Sequence, residues 1–476
     1  MCGIVAIIGN HTETDCSDAL SRIKHRGTDG SKMHHSKNIS LGFNRLAIND
    51  ETEKGMQPFE FEHLVGVFNG EIFNSIELAN KYGITLYSKS DIEIILPLYK
   101  IIDADIINVL DGFFSGIIYN SETKQLFTIR DYIGKKPLFF GNTSKIDFVC
   151  SELKSFDKIQ FFEFVPKGFS EVVNHKIISI KKHSFSVIEK SALKKSIIEA
   201  TIKRIPINNE RFGVFLSGGL DSSIIASIIS KHSTNVIYYT LGNNGNEDVG
   251  FVKQLVRYLK IESQIKFIPL PKKEEIGKLI EQVVYHTESY NPSIVSNGLA
   301  TYLLSKNAKN DNLKVVISGE GADELFCGYK VSKDIIETRV KSDVLIQNLH
   351  YTELRRLDLS SMANTIEIRC PFLDKKVYSI SKDLPLEDLK DKQILRNIFD
   401  ADLPKEIIER IKTSFDVGSG IRKLVVEYLT KDNKTERETL KAIWSKYFDK
   451  NISDNEYYHK YPVFDKSITK RSINHK

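Results

Sequence analysis

Phe212-Gly213-Val214-Phe215-Leu216-Ser217-Gly218-Gly219-Leu220-Asp221-Ser222-Ser223 decides the reading of the second half of this 476-residue chain. The apolar run Phe212 to Leu216 predicts a short buried strand, and Ile224, Ile225, Ile228 and Ile229 supply the apolar stripe of the helix that follows. Between them, the adjacent glycines let the backbone approach an anion closely. The hydroxyls of Ser217 and Ser222 and the free N–H groups of the helix start point toward it. The string lacks the Lys of G-x-x-x-x-G-K-[ST], so a Walker-type grip on a γ-phosphate is not indicated. A strand-to-helix turn with no ligand is the plainer alternative, but it does not require the whole S-G-G-x-D-S-S string.

Working outward from that string, helix and strand alternate from Lys190 onward. Leu193, Ile197, Ala200 and Arg204 mark one helix, and Val252, Leu255, Val256 and Leu259 another. Val236 to Leu241, Ile265 to Leu270 and Leu313 to Ile317 read as strands. This rhythm predicts a doubly wound parallel sheet covered on both faces. From Gly3 to about Ile180 the pattern differs. Short β-rich runs (Gly3 to Ile8, Ile39 to Ile48, Leu64 to Phe68, Phe113 to Tyr119, Gln125 to Ile129, Asp147 to Cys150, Ser170 to Val173) are interrupted by helical stretches near Asp15 to Lys24, Ser75 to Tyr82 and Asp91 to Tyr99. That predicts a sheet-dominated α+β domain over residues 1–185 and a second domain over 190–476, with the boundary in Lys181 to Lys190.

Charge and cysteine usage narrow the class. Lys plus Arg exceed Asp plus Glu by only 67 to 62, and the basic residues are dispersed, which gives no reason to expect a nucleic-acid partner. The locally basic stretch Lys466 to Lys476 reads as a frayed, solvated tail. Five scattered cysteines without a C-x-x-C pair argue against a disulfide framework or structural zinc and fit a cytoplasmic protein. No apolar run reaches membrane-spanning length, so no membrane partner is expected.

At the start, Met1-Cys2-Gly3 puts a thiol where removal of the initiator Met would make it N-terminal, beside its own amine. A thiol of pKa about 8.5 next to an amine of pKa about 8 is well matched for proton transfer near neutrality. Further along stand His25-Arg26-Gly27, Arg45-Leu46-Ala47-Ile48, Asn69-Gly70-Glu71-Ile72-Phe73-Asn74 and Ser90-Asp91. Each alone is ordinary: a hairpin turn, a surface Arg, a helix cap. Jointly they supply what amide hydrolysis by a thiol requires. Asn69 and the backbone of Gly70 offer oxyanion donors. Arg45 suits a substrate carboxylate, and Glu71 or Asp91 an ammonium; glutamine carries both.

These segments resemble, in order, the N-terminal-nucleophile (Ntn) class II glutamine amidotransferase domain. The resemblance implies a four-layered αββα sandwich, a γ-glutamyl thioester on Cys2 and release of ammonia, with Arg45, Leu46, Ala47, Ile48, Asn69, Gly70, Glu71 and Asp91 around the glutamine. Thr28 stands where that family usually has Pro.

The Ser217 string in turn resembles the pyrophosphate-binding loop (PP-loop) of ATP pyrophosphatases, of the adenine nucleotide alpha hydrolase-like fold. Such chemistry asks for a divalent cation with oxygen ligands, Mg²⁺, for which Asp221 is the first candidate ligand. Ser318-Gly319-Glu320-Gly321-Ala322-Asp323-Glu324 supplies Asp323 as the second, and Glu320 as a carboxylate near the reacting acyl group. Either acid could instead be a helix-start charge. Lys412, in Arg410-Ile411-Lys412-Thr413-Ser414-Phe415, would neutralise departing pyrophosphate.

Together the halves resemble the glutamine-hydrolysing asparagine synthetase family, carbon–nitrogen ligases using glutamine, aspartate and ATP. The resemblance implies that Leu216, Leu241, Ser318 and Gly319 contact ATP, that Glu320 assists formation of β-aspartyl-adenylate, and that ammonia crosses between sites through an enclosed passage. Two departures concern the acceptor side: the family often has Asp where Asn291 stands and Arg where Ser296 stands. A sibling amidotransferase acting on another carboxylate, in glycan or natural-product synthesis, is one alternative. A non-catalytic regulatory relative is the other, although it would be expected to lose Cys2, Asp221 or Lys412. A homodimer is compatible with the sequence, which carries no signal of oligomeric state.

Overall fold

The computed structural model describes residues 2–207, 210–329 and 334–448. The basic stretch Lys466 to Lys476 lies outside the described residues. The chain divides into two compact units. The first comprises Met1–Phe185 together with Glu353–Thr365, and the second Ser186–Thr352 with Ile366–Trp444.

Unit 1 holds twelve strands: β1 (Gly3–Gly9), β2 (Gly30–Ser36), β3 (Ile39–Arg45), β4 (Phe59–Phe61), β5 (Leu64–Ile72), β6 (Gly112–Asn120), β7 (Leu126–Arg130), β8 (Phe139–Asn142), β9 (Ile146–Cys150), β10 (Phe161–Phe164), β11 (Gly168–Val173) and β12 (Lys176–Lys181). They form two six-stranded antiparallel sheets, ordered β10-β8-β9-β1-β3-β2 and β12-β11-β7-β6-β5-β4. Ile4, Ala6, Leu41 and Phe43 of the first sheet form one buried core with Val65, Val67 and Ile117 of the second. The other faces of β5 and β6, with Phe68, Ile72, Phe114 and Ile118, pack with Leu78, Ile95 and Leu98 of the helices Ser75–Tyr82 and Ile95–Ile102. The first sheet is covered by the helix Glu13–Arg22, opened by a Thr12–Asp15 capping box. This is the expected αββα sandwich.

The expected strands in this half are present. Those not anticipated are β2, β4, β8, β10 and β12. They are short, or, like β2 (GSKMHHS) and β12 (KIISIK), partly exposed edge strands without a two-sided apolar run. The run expected through Ile48 ends at Arg45, where the chain turns into the 46–52 loop. Asp91 opens a 3₁₀ turn (Asp91–Ile94) ahead of the helix Ile95–Ile102.

Unit 2 is built on β13 (Phe212–Phe215), β14 (Val236–Leu241), β15 (Ile265–Ile268), β16 (Val315–Ile317) and β17 (Glu367–Arg369), all parallel, in the order β15-β14-β13-β16-β17. The chain starts at β13 in the centre, winds to one edge, and returns to the other side of β13. The switch point therefore lies between the carboxyl ends of β13 and β16, where open α/β sheets bind ligands. The Ser217 and Ser318 loops leave these two ends.

Candidate functional site

The first cluster surrounds Cys2, which is partly exposed at the head of β1. Its backbone nitrogen donates to Asn69 Oδ1 at 2.9 Å, and its Sγ lies 4.0 Å from Leu46 O. Asn69 stands on β5, so the nucleophile comes from one sheet of the sandwich and its partner from the other. Asn69 Nδ2 is buried with no hydrogen-bond partner among the described residues, as expected of a donor held for an oxyanion. Gly70 has φ +149°, and a Cβ there would lie 2.0 Å from Phe113 O, so only glycine keeps the β5–β6 pairing beside Asn69.

Asp91 accepts from Ile72 N at 2.5 Å and from Asn49 Nδ2 at 2.8 Å, and the same Asn49 amide lies 3.4 Å from Glu71 Oε1. Both acids proposed for the ammonium thus converge on Asn49, which sequence reasoning missed. Arg45 is buried; its guanidinium donates to Thr52 O at 2.7 Å and to Asp50 O, fastening the 46–52 loop. That loop holds the buried Leu46, Ala47 and Ile48, and Ala47 N donates to Asp29 Oδ2 at 2.8 Å. Among the cysteines, burial pushes the Cys16 thiol up to about 12, which leaves it an inert packing group.

The second cluster lies in unit 2. Gly218 takes φ +68°, and Ser217 and Ser222 hydroxyls lie 3.1 Å apart across the loop. Leu216, at the end of β13, donates to Tyr239 O at 2.9 Å and accepts from the Thr240 hydroxyl at 2.7 Å. Leu241, the last residue of β14, is buried beside it in the sheet. Ser318 N donates to Arg369 O at 2.9 Å. A Cβ on Gly319 would meet Ser222 N at 2.9 Å and Asp221 Cβ at 3.1 Å, so the two loops abut through this glycine.

Two lysines converge on the acids of these loops. Lys392 Nζ lies 2.5 Å from Asp221 Oδ2 and 2.5 Å from Asp323 Oδ1, while Lys412 Nζ lies 2.5 Å from Asp323 Oδ2. Burial pushes both carboxyls up. Asp323, in contact with both lysines, is nevertheless held below its ordinary value, whereas Asp221, in contact with Lys392, drawn down more weakly by Lys412 and pushed up by the Asp323 charge, stays above it. Burial disfavours the Lys412 charge, but Asp323 and Asp221 outweigh it and raise that lysine. Lys392 was not singled out from the sequence; it sits at φ +60° in an irregular Lys-rich stretch. Asp221 Oδ1 is buried with no hydrogen-bond partner among the described residues, which leaves a hard oxygen ligand available for a small divalent cation. Glu320 contributes a further negative charge toward Lys412.

Arg410 ties the parts together, donating to Ser217 O at 2.9 Å and Asp248 Oδ1 at 2.6 Å while its guanidinium lies over the Phe251 ring. Lys412, two residues on, is thereby tethered to the Ser217 loop. On the acceptor side, Asn291 caps the helix Pro292–Asn310 through Ser293 N at 3.0 Å, and the Ser296 hydroxyl donates to Asp416 at 2.8 Å. No helix among the described residues is long and apolar enough to cross a membrane.

Both halves of the chain are similar to known protein families. Residues 1–204 match the glutamine amidotransferase domain family, and residues 192–346 and 340–461 match the asparagine synthase family. A glutamine-hydrolysing asparagine synthetase of Sandersonia aurantiaca is 32% identical over 466 residues, covering 88% of this chain and 87% of its own. One from Oryza sativa subsp. japonica is 32% identical, covering 88% and 78%, and one from Arabidopsis thaliana 30%, covering 88% and 78%. Matched by both family models and by relatives along most of their length, the chain belongs to the asparagine synthase family, with a glutamine amidotransferase domain at its N-terminal end.

Proposed function

We propose that the chain makes asparagine from aspartate, ATP and glutamine. In unit 1, once Met1 has been removed, Cys2 Sγ attacks the glutamine side-chain carbonyl and the freed α-amine of Cys2 takes the thiol proton. Asn69 Nδ2 and Gly70 N–H stabilise the oxyanion. The amine returns the proton to the departing nitrogen, ammonia leaves, and water hydrolyses the thioester to glutamate. Arg45, with Leu46, Ala47 and Ile48, borders the substrate, and Glu71 and Asp91 take its ammonium.

In unit 2, aspartate attacks the α-phosphate of ATP, giving β-aspartyl-AMP and pyrophosphate. Ammonia from the first site then attacks the acyl carbon and AMP departs. Leu216, Leu241, Ser318 and Gly319 contact the nucleotide, while Ser217, Gly218, Gly219 and Ser222 cradle the leaving phosphates with Lys412. Glu320 faces the acyl group. Asp221 and Asp323 are the residues that would hold Mg²⁺, which offsets phosphate charge when bound.

The observation that carries the synthetase reading is the buried Asp221 Oδ1, without a hydrogen-bond partner among the described residues, beside two lysines at the sheet switch point. One observation favours another acceptor acid. Ser296 spends its hydroxyl on Asp416, and at this position it brings no guanidinium for a substrate carboxylate. Both readings are tested by incubating the protein with ATP, Mg²⁺ and glutamine and measuring pyrophosphate release against a panel of acids beginning with aspartate. Release with aspartate supports asparagine synthesis, release only with another acid supports the sibling reading, and none with any acid defeats both.

A further inference from the structure

Arg26 has no solvent exposure, and its planar guanidinium has three partners. Nη1 lies 2.6 Å from Glu152 Oε1, Nη2 lies 2.8 Å from Asp358 Oδ2, and Nε donates to Cys2 O at 3.1 Å. Burial opposes the Arg26 charge, but the Asp358 and Glu152 carboxylates more than offset that and raise it, so the cation is permanent. A guanidinium is rigid: fixing its two terminal nitrogens on two carboxylates fixes the direction of Nε–H. That N–H holds the carbonyl of the residue whose amine and thiol do the chemistry. Cys2 is therefore pinned at both ends, its nitrogen by Asn69 and its carbonyl by Arg26.

Glu152 lies in the amidotransferase stretch, but Asp358 is 332 residues from Arg26, on the helix Glu353–Met362 that belongs to unit 1. The same segment makes a second bond to this turn, Thr365 Oγ1 to His25 O at 2.9 Å. Asp358 Oδ1 also faces the fully buried Lys136 Nζ at 3.5 Å. The cluster contains three cations, Arg26, Lys136 and Lys154, and two anions, Glu152 and Asp358, with His25 beside Glu152. Removing the Asp358 charge would leave Arg26 anchored on one side and add net positive charge behind Cys2.

We propose that Asp358, contributed by the C-terminal half of the chain, is a positioning residue for glutamine hydrolysis. It acts through Arg26 on the backbone of Cys2, and the proposal rests on the reading of Cys2 as nucleophile. A residue that only anchored its helix would change stability without changing the chemistry of Cys2. Asp358→Asn in the full-length protein should lower kcat for glutamine hydrolysis about tenfold with little change in KM, the signature of lost transition-state alignment. Ammonia-dependent synthesis should persist. The pH midpoint for iodoacetamide alkylation of Cys2, read on its own peptide, should move down, because added positive charge favours the deprotonated forms. Asp358→Glu should recover most of the rate. An unchanged alkylation midpoint together with kcat within twofold of wild type would overturn the proposal. So would an unchanged midpoint with equal loss of both activities. Alkylation needs no turnover, so it judges Asp358 even if wild-type protein fails to hydrolyse glutamine, an outcome that would count against the nucleophile reading itself.

Discussion

Lys392 Nζ stands 2.5 Å from Asp221 Oδ2, joining a lysine in the connector before the Arg410 segment to the loop that leaves β13. The approach depends on Gly328, where a Cβ would lie 2.1 Å from Lys392 Cε. Held also on Asp323, this ammonium sits, in the proposed mechanism, close to where pyrophosphate charge develops. Lys392→Met should therefore slow aspartate-dependent pyrophosphate release by about 100-fold or more, the size of effect typical of losing one electrostatic stabiliser. Glutamine hydrolysis should remain near wild type. A synthetase rate within threefold of wild type would assign Lys392 a purely structural role.

Asp248 gives the Arg410 tether a titratable partner. Burial pushes its carboxyl up to about 6, against the opposing pull of Arg410; Glu247 raises it further and Lys412 lowers it. Because the folded value lies above the ordinary 3.8, the group favours folding fully below about pH 4, and that contribution is lost as pH rises through about 6. The functional effect runs the other way. As pH falls through 6, Asp248 becomes neutral and releases its ion pair with Arg410, loosening the tether on the Ser217 loop. KM for ATP should rise below pH 6 in the wild type and be flat over that range in Asp248→Asn. In thermal unfolding, the Tm advantage of wild type over the variant should shrink between pH 4 and pH 6.

What the sequence made legible follows from how each feature is encoded. Strand-glycine-helix punctuation and one- or two-sided apolar runs are local, so β1, β3, β5, β6, β13 and β14 and the Ser217 and Ser318 loops could be read directly. Cys2, Asn69, Gly70, Asp221 and Asp323 could be proposed because each sits in a short string whose residue types suit the chemistry, whereas Lys412 could be proposed only through the family resemblance. Lys392, Asn49 and Asp358 carry no such string. Lys392 is one lysine among many in an irregular stretch, and Asp358 reaches Arg26 only because residues 353–365 fold into unit 1. Three-residue strands such as β4 and β17 fall below any periodicity signal.

In the proposed mechanism Asn69 serves two functions on one amide: Oδ1 accepts from the Cys2 nitrogen, and Nδ2, which has no partner among the described residues, is left for the oxyanion. Asn69→Ala should cost about 100- to 1,000-fold in glutamine hydrolysis. Synthesis from free ammonia should be retained, which also shows that the variant folds. A steady-state comparison of the two donors makes the check. Loss confined to KM for glutamine would instead make Asn69 a ground-state binding group.

Gly70 and Gly83 both have positive φ, at 149° and 66°, yet substitution should affect them unequally. At Gly83, which ends the helix Ser75–Tyr82, a Cβ meets nothing within 4 Å, so Gly83→Ala carries only the backbone penalty, about 1 kcal/mol. At Gly70 the Cβ would lie 2.0 Å from Phe113 O and 2.6 Å from Phe114 Cα, and backbone on the neighbouring strand cannot rotate aside. Relief requires parting β5 from β6 at the register Gly70–Phe114, which displaces Asn69 next to it. Gly70→Ala should therefore lower stability by about 1–3 kcal/mol beyond the Gly83→Ala effect and abolish glutamine turnover even at temperatures where the protein stays folded. Thermal unfolding and glutaminase rates on the two variants test this together. Equal Tm losses with activity intact in both would mean that β5 tolerates a side chain where the geometry leaves it no room.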